Sequence, residues 1–245
     1  MKRAIIALGL FFVIQLLAAI GAVVYVKDLT ATTDAFIIAT GIGLLIGNII
    51  LSLFLARRVN KTEWKPTASL WSGVAAMLLI ALSETFLLAP LDIEDATTEH
   101  IMTVMAASPW CLLGLCVAGP VAEELVFRWG ILGGLLKQGT NPWLAVAVSA
   151  VTFAVVHGNW LQAPAALLSG ALLGIIYIRS KSIVLCIVAH ICNNTLAVAA
   201  LHIPEAEEKL TNQPTALLLL EGTLLAALSF AVAIKCIKPY EDRTH

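Results

Sequence analysis

Residues 4–26 read AIIALGLFFVIQLLAAIGAVVYV, a run without one charged side chain. It has neither the two-residue alternation of a half-buried strand nor the broad polar face of a helix on a soluble core. About 20 apolar residues carry a helix across the hydrocarbon of a bilayer. The apolar part of a secretory leader is shorter, roughly 7–15 residues. The stretch after Met1-Lys2-Arg3 is therefore expected to be a retained first span.

Outward from that run, the same signature recurs at 34–56, 68–89, 108–136, 142–157, 161–178, 182–202 and 215–237. Across 245 residues, 60% are hydrophobic and only 13% charged, whereas a soluble domain is nearer half apolar and a quarter charged. Lipid demands that each segment pair its own backbone polar groups. Long Leu, Ala, Ile and Val runs satisfy that as helices. The expected fold is all-α and polytopic, with about eight transmembrane helices forming one transmembrane domain over 1–245. The fifth and sixth spans are short and should lean on protein more than on lipid.

Loop charges orient the chain. With the N-terminus cytoplasmic, Lys2, Arg3, Arg57, Arg58, Lys61, Lys65, Lys137, Arg179, Lys181, Lys235, Lys238 and Arg243 fall inside, and only Lys27 and Lys209 outside. That asymmetry places both termini in the cytoplasm. The acidic stretches 92–99 and 205–208 fall outside. Trp64, Trp71, Trp143, Trp110 and Trp160 sit near predicted boundaries, as an aromatic belt does. Residues 101–137 are too long for one ordinary crossing. Two crossings would move later basic loops outside, so 101–107 is read as interfacial and the fourth span as kinked or restarted at Pro120. Gly43/Gly47, Gly130/Gly134 and Gly170/Gly174 are expected to pack helices closely within the chain.

Net charge is −1, which gives no reason to expect a nucleic acid partner. Cys111, Cys116, Cys186, Cys192 and Cys236 lie in apolar stretches without CxxC spacing and read as small packing residues.

Ionisable groups within spans cost about 2.5–3.5 kcal/mol each on insertion scales, and they mark function unless paired. Residues 120–128 read PVAEELVFR. Glu124 and Arg128 lie one turn apart on one face and can neutralise each other. Glu123 points about 100° away on the same wheel and has no partner in its own helix. The fifth span ends in Phe153-Ala154-Val155-Val156-His157. Alone, His157 reads as an interfacial or packing residue. The seventh span carries His190 and Asn194 on one face, which an interhelical hydrogen bond would also explain. At 1.5 Å per residue from the inner boundaries, Glu123 and His157 stand about 21–22 Å up, Asn194 about 18 Å and His190 about 12 Å. A carboxylate beside an imidazole can hold and deprotonate water. His and Asn donating together can stabilise an oxyanion. Gln15 and Asn48 read as packing hydrogen bonds. Glu84 and Glu221 fall near outer boundaries within reach of water, with Glu84 a weaker candidate for a cavity wall. His100, His202 and His245 read as solvated.

Glu-Glu-x-x-x-Arg at 123–128, Phe-x-x-x-His at 153–157 and His-x-x-x-Asn at 190–194, in order on three spans, resemble the CPBP family. These are the CAAX-protease and bacteriocin-processing (Abi) intramembrane glutamic endopeptidases, related to the Rce1-type prenyl-protein protease. The motif-bearing core is about 108–202. The resemblance implies an eight-helix fold with a polar cluster between the fourth, fifth and seventh spans, and peptide-bond hydrolysis without metal or other cofactor. It implies that Glu123 and His157 activate water, that His190 and Asn194 form the oxyanion site, and that Glu124 and Arg128 support them. Trp129 departs from the pattern, since many members have Gly after the Arg. The expected partners are the lipid bilayer and a membrane-associated peptide or protein, with prenylated proteins and peptide precursors both candidates. The expected setting is a bacterial inner membrane. Two other readings compete. One is a non-catalytic immunity or scaffold protein. The other is a zinc protease using Glu123, His157, His190 and Cys192, although the chain lacks HExxH.

Overall fold

A computed structural model describes residues 2–27, 33–67, 69–91, 96–158, 162–201, 203 and 213–238. Among them every regular element is helical. The helices are α1 (Lys2–Val26), α2 (Asp34–Ala56), α3 (Leu70–Leu88), α4 (Ala96–Ala107), α5 (Pro109–Leu136), α6 (Pro142–Val156), α7 (Ala163–Ser180), α8 (Ile183–Ala200) and α9 (Thr215–Cys236). Seven of these are long and apolar enough to cross a membrane, and α6 is a shorter apolar helix. The chain is a polytopic α-helical membrane protein. Of the eight expected spans, only the fifth, now α6, falls short of crossing length. His202, His245 and Trp160 lie outside the described residues.

Local chemistry sets the ends. The Thr33 hydroxyl accepts from the Phe36 amide, and the Ser108 hydroxyl from the Cys111 amide. The Asn141 carbonyl oxygen accepts from the amides of Trp143 and Leu144, and the Ser182 hydroxyl accepts from that of Leu185. Each satisfies an amide that a helix start leaves open. Pro109 and Pro142 occupy first-turn positions, where a missing N–H costs nothing. Between α7 and α8, Lys181 takes a left-handed conformation, φ 51°.

The three glycine pairs pack within the chain. A Cβ on Gly43 would lie 3.1 Å from Ala18 Cβ, and one on Gly47 only 2.5 Å from Ile14 Cγ2. Gly130 faces Ala7 in the same way, while Gly170 and Gly174 face Phe153 and Val146 of α6. Hydroxyls add interhelical bonds to carbonyls: Ser83 to Gly222 at 2.7 Å, Ser229 to Ala76 at 2.8 Å and Ser149 to Phe127 at 3.1 Å. Leu16 and Leu17 of α1, Ile50 and Leu53 of α2, and Leu220 and Leu224 of α9 stand open, as a lipid-facing surface requires.

The fourth span differs from its expected form. Residues 101–107 belong to α4, where His100 pairs with Asp34 of α2 at 3.1 Å. The new helix begins at Ser108-Pro109, eleven residues before Pro120, because a capping hydroxyl followed by proline starts a helix. It then runs through Gly119-Pro120 by widening, with π-helical stretches at Gly114–Ala118 and Leu125–Leu132. At Trp129 the ring is buried and the Arg3 guanidinium stacks on it, 3.6 Å from the centroid. The bulky residue thereby docks α1 against α5.

Candidate active site

The π turn before Pro120 is where the site begins. The Gly119 amide bonds to the Gly114 carbonyl, five residues back. Next in that register, the Leu115 carbonyl would meet residue 120, but proline has no N–H. The orphaned carbonyl is taken by the Asn194 side chain of α8, whose Nδ2 donates to it at 3.0 Å. The helix break in α5 and the polar face of α8 are therefore one structure.

One turn further, Glu124 and Arg128 are fully buried, with Arg128 Nη1 3.1 Å from Glu124 Oε1. Arg128 Nη2 also donates to the Gly170 carbonyl at 3.2 Å, and the guanidinium lies 4.7 Å from the Phe153 ring centroid. Glu124 Oε1 then receives His190 Nδ1 at 2.8 Å. A carboxylate on Nδ1–H fixes ring orientation and turns Nε2 the other way. There it stands 3.7 Å from Glu123 Oε2. His190 is thus bracketed by the two adjacent carboxylates, which diverge because consecutive helical residues do.

His157, at the end of α6, gives its Nδ1–H to the Phe153 carbonyl at 2.7 Å, leaving Nε2 as an acceptor. Phe153 also packs edge-to-face against both imidazoles, with centroids 4.6 Å from His157 and 5.8 Å from His190. That explains the Phe in Phe-x-x-x-His: it holds two histidines from different helices.

Glu123, His157, His190 and Asn194 all line one cavity of about 410 Å³. Counting 1.5 Å per residue sets His190 about 9 Å below Glu123, yet the two side chains approach to 3.7 Å. At its start, α8 rests on the segment after α2, with the Ile183 amide on the Glu63 carbonyl at 2.8 Å.

Sequence reasoning undervalued three residues of the wall. Gln15, Asn48 and Glu84 line the same cavity. Asn48 is buried, and its Oδ1 has no hydrogen-bond partner among the described residues. A Cβ on Gly119 would lie 3.9 Å from both Asn48 Nδ2 and Glu123 Oε1, so this glycine keeps the space beside the carboxylate open. Glu84 is 9% exposed, and one carboxyl oxygen has no partner among the described residues. The signal available in the sequence was polarity inside a span, which α2 and α3 each carry without a motif around it. Among the described residues, no three His, Cys, Asp or Glu side chains are grouped as metal ligands.

Residues 105–196 match the family of type II CAAX prenyl endopeptidases, Rce1-like. The motif-bearing core resembles that family. A Bacillus subtilis protein named "Putative membrane peptidase YdiL" is 30% identical over 131 residues, 54% of this chain and 53% of its own. The "Membrane-embedded CAAX protease MroQ" of Staphylococcus aureus is 29% identical over 122 residues, 47% of this chain and 49% of its own. The chain spans about half the length of the curated relatives it matches. No solved structure matches it. The Rce1-like segment holds Glu123, Glu124, Arg128, His157, His190 and Asn194, so every residue of the three motifs falls within it. Glu84, Asn48 and Gln15 of the cavity wall lie outside it.

Proposed function

We propose that the chain is an intramembrane endopeptidase of the glutamic type, hydrolysing peptide bonds of membrane-associated proteins or peptides. The observation that carries this reading is the bracketed His190 with Glu123 open to a cavity lined by His157 and Asn194. Glu123 accepts a proton from water as the water attacks the scissile carbonyl, and gives it to the leaving amine as the C–N bond breaks. His157 Nε2, an acceptor in the tautomer set by Phe153, holds that water. His190 in its imidazolium form carries an Nε2–H that can donate to the developing oxyanion. In that form the charges of Glu123, Glu124, Arg128 and His190 sum to zero, which suits a site in lipid. Asn194 spends one amide hydrogen on Leu115 and keeps the second for the oxyanion. Glu124 and Arg128 fix His190.

The whole chain serves as one transmembrane domain, since the cavity draws on α1 to α8. The excess of basic residues in alternate loops supports cytoplasmic termini and a bacterial inner membrane as the setting. Prenylated proteins and peptide precursors are both candidate substrates.

The test is a comparison of terminal peptides in native membranes between wild type and Glu123→Gln. Termini that appear with wild type alone are the expected result, and identical patterns would overturn the reading. Activity should also survive exhaustive chelation and dialysis, because a carboxylate and an imidazole can activate water without a Lewis acid. Loss of activity on chelation, with recovery on adding zinc, would establish the metalloprotease reading instead.

A further inference from the structure

The cavity has a second carboxyl that the hydrolytic reading does not use. Glu84 sits on α3 one turn before its end at Leu88 and lines the same 410 Å³ space as Glu123. The residue is only 9% exposed, and its Oε1 has no hydrogen-bond partner among the described residues. A carboxyl enclosed in a span with one oxygen unpartnered costs several kcal/mol. Helix packing gains nothing from that cost, since an apolar residue of equal size would fill the same place.

The surroundings say what would satisfy it. The cavity lining holds Glu84 and Glu123 and no Lys or Arg. Arg128, the nearby guanidinium, is fully buried against Glu124 and Gly170 and does not line the cavity. An anionic group, such as a peptide's terminal carboxylate, meets no Lys or Arg among the described lining residues, and beside Glu84 it would meet a carboxyl.

We propose that Glu84 forms a subsite for a basic side chain of the peptide bound in the cavity, so that substrates carry Lys or Arg near the bond cleaved. The inference rests on the protease reading for its function, though not for its binding chemistry. Glu84 acts as a specificity-determining residue: it pairs with the substrate cation while Glu123 faces the scissile bond.

The test uses the purified full chain in lipid nanodiscs. Its probes are fluorescent peptide sets that are identical except for Lys, Gln or Glu scanned through successive positions. The wild type should bind the best Lys peptide about tenfold or more tightly than its Gln counterpart, and the Glu peptide should bind worst. Glu84→Gln should bring the Lys-to-Gln ratio close to one. Glu84→Asp, which keeps the charge, should retain part of it. Glu84→Lys should move the preference to the Glu peptide. Melting of each variant checks folding, and Glu84→Asp keeps the test open if the neutral variant is unstable. Equal binding of the Lys and Gln peptides, or a preference untouched by Glu84→Gln, would overturn the inference. Charge-selective binding without cleavage of any bound peptide would overturn the protease reading and leave this one standing.

Discussion

Glu123 and Glu124 are chemically the same residue, and their surroundings give them different work. Glu124 is fully enclosed between Arg128 and His190. Glu123 keeps partial exposure to the cavity and one long contact to His190. Replacing Glu124 by Gln leaves Arg128 as an uncompensated buried charge, a change that typically costs about 3–5 kcal/mol. Glu124→Gln should therefore lower the melting temperature in detergent by many degrees and reduce yield. A variant that melts like wild type would show that the pair does not hold the fold. The Glu124–Arg128 pair was legible in the sequence from its four-residue spacing alone. His190 between the two carboxylates was not, because it depends on how α8 is set against α5, and no spacing within one helix reveals that.

Among the helices, α5 is the one whose irregularity makes the site. Gly119-Pro120 announced a break, but the sequence could not say that the break is a π turn or that Asn194 repairs it. The repair gives a sharp expectation. Asn194→Ala leaves the half-buried Leu115 carbonyl without this partner, which costs about 1 kcal/mol. With Pro120→Ala the backbone amide of residue 120 becomes available to that carbonyl. The cost of Asn194→Ala should then shrink by most of that amount in a double-mutant cycle read by thermal melting. Strict additivity of the two substitutions would show that Asn194 is not tied to the break. The glycine pairs, by contrast, were readable in advance. A small residue every fourth position permits close approach, and Ala18, Ile14, Ala7, Phe153 and Val146 occupy the space it leaves.

At the level of the whole molecule, apolar runs fixed the helices to within a few residues, because the bilayer sets helix length directly. The cavity wall was harder to foresee, since Gln15, Asn48 and Glu84 come from α1, α2 and α3, far in sequence from the motifs they join. The orientation proposed from the basic loops is testable: reporter fusions after residue 30, within 90–100 and near 208 should read outside, and those near 62 and at 245 inside. A fusion at 245 reading outside would contradict the eight-span arrangement.

The account turns on Glu123 as the group that activates water. The most direct measurement takes a substrate identified from native membranes and compares wild type with Glu123→Gln, purified side by side, for both melting and cleavage. The substitution keeps size and shape and removes the base, so the variant should melt close to wild type while turnover falls by about a hundredfold or more. Near-wild-type turnover by Glu123→Gln would contradict the glutamic mechanism, leaving the three motifs as the polar contacts that hold α5, α6 and α8 together.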